Sequence, residues 1–240
     1  MMYRKFISVI ILLLLAVPLE SVEKKAITFE KFIKIGRVSD PRLSPDGKNI
    51  AFVITYYDKE KNTGNSDIWL IPFKGGKARK LTNSEKADYR PRWSPDGKKI
   101  AFISTRSGKP QIWVIPVEGG EAEKVTEVST GAGGVEWSPD GKYFLFTSSV
   151  YPDCPDDDCN KKKDEEKEKS KVKAKIITEL LYRHWDQWRD SKRSHLFIIP
   201  SEGGDVRDLT PGNYDVPPIS LGSRHDYTFS PDGGEVAFVM

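Results

Sequence analysis

A Ser-Pro-Asp-Gly tetrapeptide occurs four times in this chain of 240 residues, each time shortly before an apolar run. Proline presets the φ angle of the first central residue of a turn, aspartate bonds the neighbouring backbone, and glycine tolerates the left-handed conformation. Each copy therefore predicts a tight turn between two strands, and the copies make the chain a repeat protein with a period of roughly 40 to 50 residues. The copies begin at Ser44, Ser94, Ser138 and Ser230.

A second motif repeats in phase with the first: an apolar segment with a central aromatic residue, a terminal proline and a glycine pair beyond it. The segments are 67–72, 111–116 and 195–200, and the glycine pairs are 75–76, 119–120 and 203–204. Glycine pairs favour hairpin turns, and proline cannot donate to a strand ladder, so each segment is expected to be a strand that ends at its proline. The short polar and apolar stretch after each glycine pair predicts a half-buried outer strand.

The apolar runs after the tetrapeptides are hydrophobic at successive positions, which requires that both faces of the strand be covered. These runs are residues 50–53, 100–103, 144–146 and 236–239. A central strand between two neighbouring blades meets that requirement. The sequence therefore predicts an all-β fold over residues 26–240: a β-propeller of four-stranded blades, with about three blades and the start of a fourth.

The third repeat carries an insertion. From Ser94 to Trp113 the sequence runs 19 residues, but from Ser138 to the equivalent Phe197 it runs 59. About 40 extra residues, assigned to 149–189, therefore lie between the second and third strands of this repeat. Because successive turns of an antiparallel meander alternate between its ends, the insertion is expected on the face opposite the Ser-Pro-Asp-Gly turns.

The amino end has the composition of an export signal. Arg4 and Lys5 precede an apolar run from residue 6 to 17, and this run is too short for a comfortable membrane span. Residues 1–21 are therefore predicted to be a signal peptide and the protein to be periplasmic or secreted, with no membrane contact after cleavage; a retained anchor is the alternative. The 38 basic and 35 acidic residues are interspersed, so no nucleic-acid-binding surface is indicated.

Two cysteines begin the insertion. Cys154 and Cys159 flank a Pro-Asp-Asp-Asp sequence, and in an oxidising compartment such a pair commonly forms a disulfide. A metal site would need further ligands, and no histidine lies nearby in the sequence. Loose calcium binding by the aspartates is the alternative, but they lack the spacing of an EF-hand, so a solvated acidic turn is expected. Neither a metal nor a cofactor is predicted.

A charged stretch follows. Of the twenty residues from 156 to 175, eight are basic and seven are acidic. Such a composition cannot bury much apolar surface, so a mobile loop or an exposed helix is expected. The apolar residues of 176–181 are predicted to seat one helical turn against the blade.

An aromatic segment leads from the insertion into the third strand, and it allows two interpretations. In the first, Trp185 and Trp188 pack on the adjacent blade while the arginines and aspartates pair. In the second, the segment is a surface for substrate or a partner, because these residue types are enriched at binding hot spots. His184 lacks an identifiable partner for a role as a base or metal ligand. The candidate surface consists of Arg183, His184, Trp185, Asp186, Trp188, Arg189 and Asp190.

Together, the tetrapeptide repeats, the proline-ended strands and the aromatic segment resemble the amino-terminal propeller of exported serine peptidases of the prolyl oligopeptidase family. The most similar members are the acylaminoacyl-peptidase-like and dipeptidyl-peptidase-V-like enzymes. The resemblance implies a carboxy-terminal α/β-hydrolase domain with a catalytic triad, and a propeller that admits peptides and excludes folded proteins. This sequence contains no Gly-x-Ser-x-Gly motif, and its three histidines, His184, His195 and His225, lie in propeller-like sequence, so no catalytic residue is assigned and the chain alone is expected to be inactive.

The repeats also allow an interpretation of a different class. A periplasmic interaction propeller of the TolB type shares the tetrapeptide repeats and would bind a protein without chemistry, but it leaves the aromatic segment unexplained. Three complete repeats and the opening of a fourth predict an open ring, and we therefore expect a truncated chain whose exposed blade edges favour self-association.

Overall fold

A computed structural model of the protein describes residues 26–172, 174–177, 180, 182–188, 190–218 and 226–240. The predicted signal peptide, Arg189 and His225 lie outside these residues. The chain divides into two compact units, residues 1–34 and residues 35–240. In the described part of the first unit, helix α1 (Phe29–Ile33) is capped by Thr28, whose side chain accepts a hydrogen bond from the amide of Lys31. No helix in the described ranges is long and apolar enough to cross a membrane.

The second unit consists of antiparallel sheets whose strands pair mainly in sequence order. The first sheet contains β1 (Arg37–Leu43), β2 (Asn49–Asp58), β3 (Thr63–Pro72) and β4 (Arg79–Lys80); the second contains β5 (Asp88–Trp93), β6 (Lys99–Ser104), β7 (Gln111–Pro116) and β8 (Glu123–Lys124). The third contains β9 (Gly133–Trp137), β10 (Tyr143–Val150), β13 (Arg193–Pro200) and β14 (Arg207–Asp208). A two-stranded sheet of β15 (Tyr227–Phe229) and β16 (Val236–Phe238) follows. The predicted all-β fold is confirmed: three repeats each form a four-stranded sheet, and the fourth repeat contributes β15 and β16.

Each Ser-Pro-Asp-Gly tetrapeptide forms the same closed turn. In the second copy, the amide of Gly97 donates to the carbonyl of Ser94 at 2.9 Å, and the Ser94 hydroxyl donates to Asp96 at 2.6 Å. The amide of Lys98 also donates to Asp96, and the amide of Lys99 donates to the Ser94 hydroxyl. The hydrogen bond from Ser94 lowers the pKa of Asp96 below its usual value. These bonds satisfy the turn within six residues, which explains why the tetrapeptide marks the start of each second strand.

A threonine joins the third strand of each sheet to the fourth. The hydroxyl oxygen of Thr126 accepts a hydrogen bond from the amide of Ile112 at 2.9 Å, and Thr82 and Thr210 do the same for the amides of Ile68 and Leu196. The third strands end at their prolines, as predicted. The fourth strands are only two residues long and are more exposed than the sequence predicts, because each pairs on one side only.

The cores lie between successive sheets, and the middle strands are buried on both faces. In β6 the four side chains from Ile100 to Ile103 are fully buried. Ile100 and Phe102 pack against the first sheet, while Ala101 and Ile103 pack against the third. A further core joins the third sheet to β15, where Leu145 and Leu196 meet Tyr227. The successive apolar positions of the sequence therefore serve two interfaces at once, as in a propeller.

Candidate binding surface on the insertion

The connection between β10 and β13 spans residues 151–192 and begins with a disulfide-linked turn. Cys154 and Cys159 are joined by a disulfide with their Cα atoms 5.4 Å apart. Between them, Asp156 caps helix α2 (Asp157–Lys169), because its carboxylate accepts a hydrogen bond from the amide of Cys159 at 2.8 Å. Two acidic residues in the first turn of α2 and two lysines in its last turn complement the helix dipole. These local features explain why so charged a stretch is helical.

Helix α2 docks on the sheets through a polar face. Asp157, Asn160 and Asp164 are spaced three and four residues apart, so they share one face of the helix. Asp157 accepts hydrogen bonds from the amide and hydroxyl of Ser129, at 2.9 and 2.8 Å. The buried Asn160 accepts from the amide of Tyr151 at 2.8 Å. Of the two predicted forms, mobile loop or exposed helix, the structure has a helix, and hydrogen bonds attach one of its faces.

Asp164 is the centre of a cation cluster beneath α2. Its carboxylate lies 2.6 Å from the Nζ of Lys192 and 3.3 Å from the Nζ of Lys109, and it accepts a hydrogen bond from the Tyr151 hydroxyl at 3.2 Å. Burial acts to raise the pKa of Asp164, but the hydrogen bond and charge of Lys192 outweigh it and the pKa is lowered. Asp164 therefore stays ionised and anchors the helix.

The Tyr151 ring lies close to two lysines. The Nζ atoms of Lys163 and Lys192 lie 5.1 and 5.0 Å from its centroid. Burial, and then the charge of Asp164, raise the pKa of Tyr151 to about 12. The phenol therefore remains a neutral hydrogen-bond donor at physiological pH.

A groove of about 850 Å³ opens between α2, the segment that follows it and the start of β13. Lysines, aromatic residues and aliphatic residues line it together, including Lys163, Lys167, Lys175, Ile176, Tyr182 and Trp188. The rings of Tyr182 and Trp188 stack with centroids 6.1 Å apart, and the Nζ of Lys175 lies 6.0 Å from the Trp188 ring. Lys167 and Asp190 also line the groove and pair at 2.8 Å. Such a groove can hold an extended chain through stacking, apolar contact and hydrogen bonds to cations.

The predicted aromatic surface forms a small hairpin. Strand β11 (Arg183–His184) pairs with β12 (Gln187–Trp188), and Trp185 and Asp186 make the exposed turn between them. Trp185 is 73% exposed and Trp188 is 52% exposed, so the first of the two interpretations, in which both tryptophans pack on the adjacent blade, is wrong. The tight turn is the reason, because it places Trp185 in a left-handed conformation with φ of 52° at the tip.

The remaining predicted residues are divided between the hairpin and its base. Arg183 is exposed and His184 is half-buried, both on β11, and Asp190 lies in the wall of the groove. The helical turn predicted for 176–181 is not formed by the described residues of that segment; Ile176 and Leu180 are instead 92% and 87% exposed. No group of three or more histidine, cysteine or acidic side chains that could hold a metal ion occurs in the described ranges.

The sequence did not reveal Tyr151 and Lys192, the two residues that contact Asp164 of α2 from the ends of the insertion. Tyr151 follows β10 directly, and Lys192 directly precedes β13. No motif marks either residue. Their position at the two ends of the insertion is the one signal in the sequence, because the ends of a long insertion must return to neighbouring strands.

Comparison with known proteins gives a family match. The model of the TolB beta propeller domain matches residues 16–159. Two relatives are dipeptidyl-peptidase 5 of Porphyromonas gingivalis, 32% identical over 225 residues and 88% of this chain, and dipeptidyl-peptidase 5 of Porphyromonas endodontalis, 25% identical over 220 residues and 90% of this chain. This chain spans 31% of the length of each relative.

Among solved structures, the acylaminoacyl peptidase of Pyrococcus horikoshii is similar, with a TM-score of 0.55 and 24% sequence identity. The alignment covers 73% of this chain and 25% of that chain. At this level of identity the likeness concerns the fold, and it agrees with the successive four-stranded sheets described above.

Proposed function

Because this chain belongs to the TolB beta propeller domain family, we propose that it is the propeller portion of an exported serine exopeptidase or oligopeptidase. In the whole enzyme it would act as a substrate-size filter and as a scaffold beside a catalytic α/β-hydrolase domain. The observation that carries this proposal is the similarity to dipeptidyl-peptidase 5, which extends over 88% of the chain at 32% identity.

The chemistry of the described residues supports a non-catalytic role for this portion. His195 and Asp208 form a hydrogen-bonded pair of the kind that a catalytic triad contains. However, the second ring nitrogen of His195 is bound to the carbonyl of Gly212 at 2.8 Å, and the residue is only 2% exposed. A serine hydroxyl has no access to this imidazole. Peptide hydrolysis would therefore depend on a nucleophile from the hydrolase domain.

The groove beside α2 supports a contact role for the insertion. It combines stacked aromatic rings, exposed aliphatic side chains and lysines, a composition that suits either an extended peptide or a neighbouring domain. We include Arg183, His184, Trp185, Asp186, Trp188, Arg189 and Asp190 in the proposed contact surface, although Arg189 lies outside the described residues.

A serine-reactive probe tests the proposal. An antibody against residues 35–240 would isolate the native protein from its cells, and both this protein and the recombinant 240-residue chain would be treated with a fluorophosphonate. We expect labelling of the native protein and turnover of dipeptidyl or aminoacyl chromogenic substrates by it, with neither for the recombinant chain. Labelling or turnover by the recombinant chain would refute its inactivity.

The TolB family match also favours a second candidate, a periplasmic propeller that binds a protein partner without catalysis. The same experiment separates the two. If the native protein resists the fluorophosphonate and is isolated together with a stoichiometric protein partner, the interaction propeller is the better interpretation.

A further inference from the structure

A left-handed residue recurs in the first strand of each four-stranded sheet, four positions before the serine of the Ser-Pro-Asp-Gly turn. Asp40 in β1, Arg90 in β5 and Gly134 in β9 have φ angles of 47°, 58° and 63°. The strand register shifts around each of them, which is the geometry of a β-bulge. Glycine suits this conformation and aspartate tolerates it, but a long side chain is strained there. Of the residues at these three equivalent positions, Arg90 is the one that the backbone conformation favours least.

The first strands converge, so the bulges of neighbouring sheets lie close together. The indole N–H of Trp93 donates to the carbonyl of Arg42 on the preceding sheet at 2.9 Å, and that of Trp137 donates to the carbonyl of Arg92 at 3.1 Å. Arg42 and Arg92 occupy the same position in their repeats, two residues before the turn serine. Arg42 lies on β1, and Arg90 and Arg92 lie on β5; these first strands are the inner strands of their sheets. The two tryptophan bonds fix the backbone of Arg42 and Arg92 against the neighbouring sheets.

The charges at these positions are not balanced. Asp40 pairs with Arg42 at 2.8 Å and with Arg92 at 3.0 Å, so one carboxylate serves two guanidinium groups. In the described part of the chain, Arg90 has no carboxylate within ion-pairing distance. The nearby Glu136 is already bonded to the hydroxyl of Thr228 at 2.7 Å. Three arginines therefore face two carboxylates, each of which already has a partner.

The electrostatics of Arg92 agrees with this arrangement of the three arginines. Burial lowers the pKa of Arg92, and the positive charges of Arg42 and Arg90 lower it further, while Asp40 acts in the opposite direction. The side chain of Arg92 is only 13% exposed and that of Arg42 is 45% exposed, so the cluster runs from a partly buried position to the surface. An anion that enters here would meet the largely shielded guanidinium of Arg92 and the more exposed one of Arg42.

We propose that Arg90, with Arg42 and Arg92, binds a free carboxylate of a peptide on the inner strands of the propeller. The planar guanidinium fork matches a carboxylate in a two-bond geometry, and binding would relieve the repulsion among the arginines. The carboxylate could belong to the C-terminus of the peptide or to an acidic side chain. The choice of a peptide rests on the proposed function, whereas the carboxylate chemistry rests on the arginine cluster itself.

Indole N–H signals provide a direct test, because Trp93 and Trp137 bond to the backbone of two of the arginines. The ¹⁵N-labelled chain would be titrated with three acetylated tripeptides: Ac-Ala-Ala-Ala with a free carboxylate, the same peptide as an amide, and Ac-Ala-Glu-Ala-amide. We expect the first to shift the signals of Trp93 and Trp137, with affinity that falls as salt rises, and the plain amide to leave them unchanged. A shift by the glutamate peptide as well would indicate a site for any peptide carboxylate, and its absence would indicate C-terminal recognition.

Two substitutions complete the test. Arg90→Gly removes the guanidinium at a backbone position that glycine favours, so the fold is retained while affinity falls at least about tenfold. Arg207→Gln on the outer strand β14 removes the same charge away from the inner strands and is expected to leave affinity unchanged. Equal binding by the Arg90→Gly variant and the parent, or equal binding of the amide and the free acid, would overturn the proposal.

The outcome can be separated from that of the proposed function. The titration measures binding by this chain and needs no catalytic domain. If the chain does not bind the carboxylate peptide but the native protein is labelled by the fluorophosphonate, only the arginine site is refuted. Carboxylate binding without labelling would leave the site in place on an interaction propeller.

Discussion

The Nδ1 of His195 lies 2.6 Å from the Oδ2 of Asp208, and both groups join β13 to β14. The other ring nitrogen faces the carbonyl oxygen of Gly212 at 2.8 Å. With an acceptor on each side, the ring is best satisfied when both nitrogens carry protons. Burial acts to lower the pKa of His195, but the hydrogen bonds and the charges of Asp208 and Asp215 outweigh it, so the pKa lies above the ordinary value of 6.5.

The His195–Asp208 pair predicts that the free energy of unfolding falls as the pH rises. Because the folded state holds the His195 proton more tightly than the unfolded chain, the stabilisation is complete below pH 6.5 and is lost as the pH rises through the folded pKa. The slope between the two pKa values is at most about 1.4 kcal/mol per pH unit. Urea unfolding followed from pH 5.5 to 8.5 measures it. The isosteric Asp208→Asn variant should lose most of the slope; an unchanged slope would contradict this assignment.

The Ser-Pro-Asp-Gly turn predicts a cost for a side chain at Gly97. Its φ is +71°, and an added Cβ would lie 3.7 Å from the Cδ of Pro45, an ordinary contact. The cost of Gly97→Ala is therefore conformational, about 1 kcal/mol in the free energy of unfolding. Gly97→Asn should cost less, because asparagine tolerates the left-handed region. Chemical denaturation of the two variants gives the comparison, and an equal or larger loss for asparagine would exclude this explanation.

The tryptophan bonds between sheets predict unequal effects of two similar substitutions. The Trp137 indole donates to the carbonyl of Arg92, whereas the buried indole nitrogen of Trp113 has no hydrogen-bond partner in the described ranges. Trp137→Phe removes a hydrogen bond and should destabilise by about 1 kcal/mol more than Trp113→Phe, which removes an unsatisfied donor. Thermal or urea unfolding of both proteins would show the order. The reverse order would mean that ring packing, rather than the bond, decides the cost.

The polar docking of α2 predicts that the helix can be released without unfolding the sheets. Asn160→Ala removes the acceptor of the Tyr151 amide and leaves a buried donor without its partner. Hydrogen exchange of residues 157–169 should become faster by about tenfold, while that of β6 stays unchanged. The exposed Glu166→Gln change, on the same helix, serves as a control and should leave exchange unaltered. Uniformly faster exchange throughout the chain would show that α2 is part of the global fold.

The sequence predicts the sheets well because their determinants are local. The turn at Ser94 closes with bonds to residues no more than five positions away, and Pro116 ends its strand by lacking an amide. The burial of both faces of β6 follows from four apolar residues in succession. Each of these features can be read from a short stretch of chain without knowledge of distant contacts.

The insertion could not be predicted in the same way, because its structure depends on distant partners. Helix α2 is fixed by Ser129 and Lys109, which lie on the second repeat and its connection to the third and carry no motif. The error over Trp185 has a similar cause. The spacing of the two tryptophans suggests a shared face, but the tight hairpin turn points one of them into solvent.

The closed turns have a consequence for how such a chain can grow in evolution. Since Ser94, Asp96 and their backbone partners all fall within one short stretch, a duplicated gene segment carries every atom needed to reverse the chain. A duplicated copy can therefore form its turn without any contact from the rest of the protein, and only its apolar sheet faces need a neighbouring sheet to pack against. Duplication of one such repeat would need no compensating substitutions in its turns.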